Sequence, residues 1–160
     1  VFGLDIGISQ QQLLTILLVT QIVAFPCAII FGYLAKFFGA KRMVLVGIGM
    51  YFLVTSLAYF IREVWHFWAL GMMIAFAQGG IQSLSRSMFA KLVPPENAAQ
   101  FFGFYDIFGK FATILGPIMV GYVGLKTGDT RLGVFSLIIL FALGGFLLLR
   151  VKDEPVTRAA

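Results

Sequence analysis

The sequence predicts an all-α membrane protein with five spanning helices, and three observations carry that prediction. Hydrophobic residues make up 60% of the 160 residues and charged residues only 12%, against about 25% charged in an average soluble domain. A soluble domain of this length buries only about two-thirds of its surface, so the surplus Leu, Ile, Val and Phe would face water in large patches. Apolar stretches recur five times, at 13–35, 43–61, 67–91, 99–123 and 132–149, each near the roughly 20 residues that a bilayer demands. The solvent of such a chain is lipid.

The first span carries Thr15, Thr20 and Gln21 and must stop at Gly39, inside the connector 36–42. The second span has no charge and little polarity beyond Thr55 and Ser56, so it can face lipid all round. The third holds Gln78, Gln82, Ser83, Ser85 and Arg86. After it, Pro94 and Pro95 end one helix and pre-set the start of the next. The fourth span holds Asp106, Lys110 and Thr113, the polar turn 126–131 follows, and the fifth span offers only Ser136. This ranking predicts that the first, third and fourth spans line an interior while the second and fifth lie outside.

Sorting the basic residues by side orients the bundle. Lys36, Lys41, Arg42, Arg86, Lys91, Arg150, Lys152 and Arg158 share one face, and Arg62, Lys126 and Arg131 the other. The first face is then cytoplasmic, with the N-terminus outside and the C-terminus inside. An odd number of spans leads us to expect a preceding span, and nothing at Val1 resembles a signal peptide. The net charge of +5 anchors headgroups and forms no basic stripe with interleaved aromatics, so nucleic acid is not an expected partner. Trp65, His66 and Trp68 fall at the outer boundary, where an aromatic belt is expected.

At 100° per residue, Gln78, Gln82, Ser85 and Arg86 share one side of the third span, beside a small-residue strip of Gly79, Ser83 and Ser87. One strip is expected to pack and the other to meet something polar. On the fourth span Gly103, Asp106, Lys110, Thr113 and Pro117 recur at intervals of three and four. A charge on lipid at this depth costs about 2.5–3.5 kcal/mol even by the gentler insertion scales. Counting at 1.5 Å per residue from the Pro-Pro turn puts Arg86 about 9 Å in and Asp106 about 14 Å in, a difference that an Arg side chain spans. Asp106 and Lys110 are also i,i+4 neighbours, so one carboxylate can serve two cations. The cluster keeps one net positive charge and suits an anion or the carboxylate end of a zwitterion.

Three roles for these charges stay open: a packing or gating ion pair, direct solute contact, and proton coupling through Asp106. If the bridge is buried, removing one partner costs typically about 3–5 kcal/mol. For Gln78 and Gln82, interhelical hydrogen bonding stands beside recognition. Enzyme chemistry is not expected. The only histidine, His66, lies at the outer boundary, so no Ser-His-Asp arrangement can be built. No H-E-x-x-H or P-loop occurs, and Gly47-x-Gly49 is followed by Phe52 where a dinucleotide fingerprint needs its third glycine. With Cys27 as the only cysteine, no internal disulfide, metal site or cofactor is expected.

The run GYLAKFFGAKR at 32–42, with Gly32, Lys36, Gly39, Lys41 and Arg42, resembles the cytoplasmic loop motif of the major facilitator superfamily, G-x-L-A-D-R-x-G-x-K/R. Lys36 stands where that motif carries an acid and Phe37 where it carries a base. The runs GGIQSLSRS (79–87), FFGFYD (101–106) and GKFATILGP (109–117) resemble the branch containing the autophagy-related vacuolar amino-acid effluxers and their bacterial relatives. The resemblance covers nearly the whole chain. It implies most of a C-terminal six-helix bundle, the last five of twelve helices, with alternating access as the mechanism. It also implies a lipid-embedded protein of a bacterial inner membrane, or of a vacuolar membrane in a fungus, whose N-terminal helices complete the route. The function expected is transport of a small polar solute such as an amino acid. A non-transporting scaffold or receptor is the alternative.

Overall fold

The computed structural model describes residues 7–60 and 63–151. Arg62, Lys152 and Arg158, used above for orientation, lie outside the described residues, as do Ile61 and the stretch preceding Gly7. Every regular element among the described residues is helical. Five stretches are long and apolar enough to cross a membrane: Gln10–Phe38, Ala40–Ala58, Val64–Leu92, Pro95–Thr127 and Thr130–Arg150.

Local chemistry sets the helix ends. Helix α1 (Gln10–Phe38) opens with a capping box, in which the Ser9 hydroxyl accepts from the Gln12 amide and the Gln12 side chain accepts from the Ser9 amide. It stops at Gly39, whose φ of 90° is open to glycine and costly to other residues. Helix α2 (Ala40–Ala58) begins at once, and α3 (Val64–Leu92) runs into the proline turn. A short 3-10 turn, Pro95–Asn97, leads into α4 (Ala98–Thr127), which ends on Gly128 in the left-handed region. Asp129 then caps α5 (Thr130–Phe135) by accepting from the Arg131 amide at 2.8 Å. The fifth span is not one continuous helix. It breaks at Ser136, whose hydroxyl donates to the Gly133 carbonyl at 2.6 Å and competes with the helical ladder, before α6 (Leu137–Arg150) resumes.

Helix α3 is the centre of the packing, with α1 on one side and α2 on the other. Toward α1 it presents Gly71, Ala75 and Gly79, a ridge spaced by four residues, and a Cβ at Gly79 would overlap the Ala24 carbonyl. Gly80 sits under the Phe31 ring, which is itself nearly fully buried. Toward α2, Ile81 fills the space above Gly47, and Leu84 joins Met43 and Val44. The second span therefore does not face lipid all round. Its missing charge reflects a packed face, on which Thr55 satisfies its hydroxyl by donating to the Tyr51 carbonyl at 2.7 Å. The expected small-residue strip is corrected too: Gly79 packs, whereas Ser83 donates back to the carbonyls of Gly79 and Gly80, and Ser87 is exposed.

Helices α5 and α6 lie on the far side of α2, where Tyr51 stacks on Phe141 with ring centroids 5.2 Å apart. Helix α4 turns back against α5 where Gly133 meets the Val120 backbone, and it buries no residue along its length. At the opposite end of α3, Trp65 donates its indole N–H to Glu63 and stacks on His66.

The Lys41 ammonium ties the start of α2 to the end of α6, donating to the carbonyls of Val151 at 2.6 Å and Leu149 at 3.2 Å. A cation at a helix C-terminus contributes about 0.3–1 kcal/mol. Lys41→Met is expected to lose that amount and to speed amide exchange at Val151, whose N–H bonds the Leu148 carbonyl. Hydrogen exchange read by mass spectrometry checks it; an unchanged exchange rate at the end of α6 would show that the clamp contributes nothing.

Candidate functional site

The Pro94-Pro95 turn folds α4 back beside α3 so that the two helices meet through long side chains and not through close backbone packing. Two consecutive residues on each helix make the link. Arg86 donates from Nη2 to Asp106 Oδ1 at 2.7 Å, and the Ser85 hydroxyl lies 3.1 Å from the Tyr105 hydroxyl. Toward the turn, the Phe89 ring packs against both Tyr105 and Phe102, with centroids 4.8 and 5.4 Å apart. The chain places an ion pair, a hydroxyl pair and an aromatic cluster within two turns of each other.

The ion pair expected from depth is present, but its setting differs from the buried bridge considered above. The two side chains are 57% and 54% exposed in this chain, so neither α3 nor α4 buries the pair. The carboxylate is not shared. Asp106 turns to Arg86 on the neighbouring helix, and Lys110 forms no ion pair among the described residues. Lys110 is exposed, with the apolar side chains of Ile107, Phe111 and Ile114 around it.

Of the other residues on these faces, Gln78 is half-buried and Gln82 exposed, and neither amide forms a hydrogen bond among the described residues. Thr113 turns its hydroxyl onto its own helix, donating to the Lys110 carbonyl at 2.6 Å. Pro117 lies within α4, where it leaves the Thr113 carbonyl without its helical partner. In the loop motif, Gly39 makes the turn, Lys36 lies in the last turn of α1, Lys41 clamps α6 and Arg42 is exposed. Gly32 makes no close approach, since a Cβ there would meet nothing within 4 Å.

Sequence reasoning missed Tyr105, Phe89 and Phe102. One signal was available. Ser85-Arg86 and Tyr105-Asp106 are two polar pairs in the same order, and each linked partner is 20 residues from the other.

An ion pair, a hydroxyl pair and an exposed lysine on a bundle of five helices, each long and apolar enough to cross a membrane, define an all-α membrane protein. Residues 2–160 match the family described as "Vacuole effluxer Atg22 like". The chain belongs to that family. It is 51% identical over 156 residues to the MFS-type transporter YxiO of Bacillus subtilis, covering 98% of this chain and 36% of that protein. Two autophagy-related proteins are also similar. Protein 22-2 of Sclerotinia sclerotiorum is 33% identical over 59% of this chain and 14% of its own length. Protein 22-1 of Neosartorya fischeri is 35% identical over 67% of this chain and 18% of its own length. The chain thus spans about a third of the bacterial relative and under a fifth of the fungal ones. No solved structure matches it.

Proposed function

We propose that this chain forms one wall of the solute pathway in an alternating-access transporter, and that the face bearing Gln78, Gln82, Ser85, Arg86, Asp106, Lys110 and Thr113 borders that pathway. The observation that carries the reading is Lys110, without an ion pair among the described residues, beside the Arg86–Asp106 pair and two side-chain amides that no hydrogen bond among the described residues occupies. Such groups are costly against lipid and useful against a polar solute. The cluster's net positive charge suits a solute with a carboxylate, such as an amino acid, moved by efflux or by uptake. The loop motif and the C-terminus lie on the cytoplasmic side by the Lys/Arg asymmetry. Further helices of the same transporter supply the opposite wall.

The scaffold alternative makes the opposite statement about Lys110. In the full-length transporter reconstituted in proteoliposomes, Lys110→Met is expected to remain folded and to lower amino-acid flux about tenfold or more, the factor that corresponds to 1.4 kcal/mol of lost interaction. Flux at the parental rate and affinity would make Lys110 structural and remove it from the site.

A further inference from the structure

The Arg86–Asp106 pair does not stand alone, and the residue beside it is outside every role considered so far. Tyr105 precedes Asp106 on α4, reaches the Ser85 hydroxyl at 3.1 Å, and is backed by the Phe89 ring. Ser85 precedes Arg86 in the same way, so the hydroxyl pair and the ion pair close the same gap between α3 and α4. Gln82 lies one turn further from the Pro94-Pro95 turn and Gln78 another turn beyond. The four residues lie between the Pro94-Pro95 turn and Gln82 along the gap between α3 and α4.

Asp106 has a second partner within reach. Lys110 lies one turn along the same helix, and helical side chains lean back toward the N-terminus, which brings its ammonium toward Asp106. A carboxylate choosing between an exposed partner on the next helix and one on its own helix faces two interactions of the same order. A change of Asp106 rotamer exchanges one for the other. One additional hydrogen bond is then enough to decide which state prevails.

We propose that Tyr105 is a positioning residue that holds the Arg86–Asp106 pair closed through Ser85, and that Lys110 is the alternate partner taking Asp106 when α3 and α4 separate at the turn end. The assignment rests on the transport reading for its purpose, though not for its test. Removing the Tyr105 hydroxyl frees the latch. Removing Lys110 leaves Asp106 no second partner and tightens it.

The test uses the full-length transporter in a cysteine-free background carrying Gln82→Cys, with a membrane-impermeant thiol reagent applied from the turn side. Tyr105→Phe and Ser85→Ala, which delete a hydroxyl without removing bulk from the ring cluster, are each expected to speed labelling about two- to tenfold, the factor set by one net hydrogen bond. The double variant is expected to match either single one, because both remove the same bond. Lys110→Met is expected to slow labelling. Unchanged labelling in the hydroxyl variants, additive effects in the double variant, or faster labelling in Lys110→Met would each overturn the latch. Absence of flux in the unmodified transporter would instead sink the transport reading, and the labelling rates would still decide the latch.

Discussion

Gly79→Val is expected to be the most damaging single substitution in the helix core, because the atom in its way belongs to backbone. A Cβ at position 79 overlaps the Ala24 carbonyl and crowds the Ala28 amide, and neither can rotate aside as a side chain can. Helices α1 and α3 must part, which strips contacts from Phe31, Ala75 and the rest of the ridge. Overpacking of this kind costs about 1–3 kcal/mol and occasionally more, and a rigid obstruction with two further methyl groups belongs at the upper end. Thermal unfolding of the full-length protein in detergent measures it. Gly49→Ala is the control, since a Cβ there meets nothing within 4 Å. Equal midpoints for the two variants would show that the α1–α3 contact is not tight.

On the proposed transport function, the second large effect belongs to the ion pair and is expected in solute flux more than in folding. Arg86→Asp sets two carboxylates face to face, and Asp106→Arg sets two guanidiniums. At about 4 Å such a pair repels by about 1 kcal/mol in water and about 4 kcal/mol near a protein surface, so the exposure of this pair keeps the effect between those limits. Each single reversal is expected to lower flux at least about tenfold, while unfolding midpoints stay near the parental value. The double exchange restores the attraction with its direction reversed and should recover much of the flux. A double variant no better than the worse single one would mean that Arg86 and Asp106 act separately.

Much of this architecture is legible in the sequence, and the reason is physical. Lipid penalises charge so heavily that span lengths, the Gly39 stop and the proline turn stand out from composition alone. Arg86 and Asp106 could be matched because depth along a helix is fixed by rise per residue. Lateral neighbours are another matter. That α2 packs against α3 follows from Gly47 receiving Ile81, a relation between two residues that no periodicity connects. The Ser85–Tyr105 contact was hidden because Tyr at a helix surface is an ordinary membrane residue until its partner is known. The sequence offered Asp106 two cations, Arg86 on the neighbouring helix and Lys110 on its own, and the structure pairs it with Arg86.

In mechanical terms α4 is a beam held at its ends. One support is the proline turn with the links to α3, and the other is the tight seat of Gly133 on Val120. Between them the helix rests on nothing else in this chain that buries a residue, and Pro117 has removed a rung of its hydrogen-bond ladder. A beam of this kind bows most easily in its unsupported span, where Lys110 and Thr113 sit. Lys110 and Thr113 therefore ride on the stretch between the two supports, while Asp106 sits at one of them.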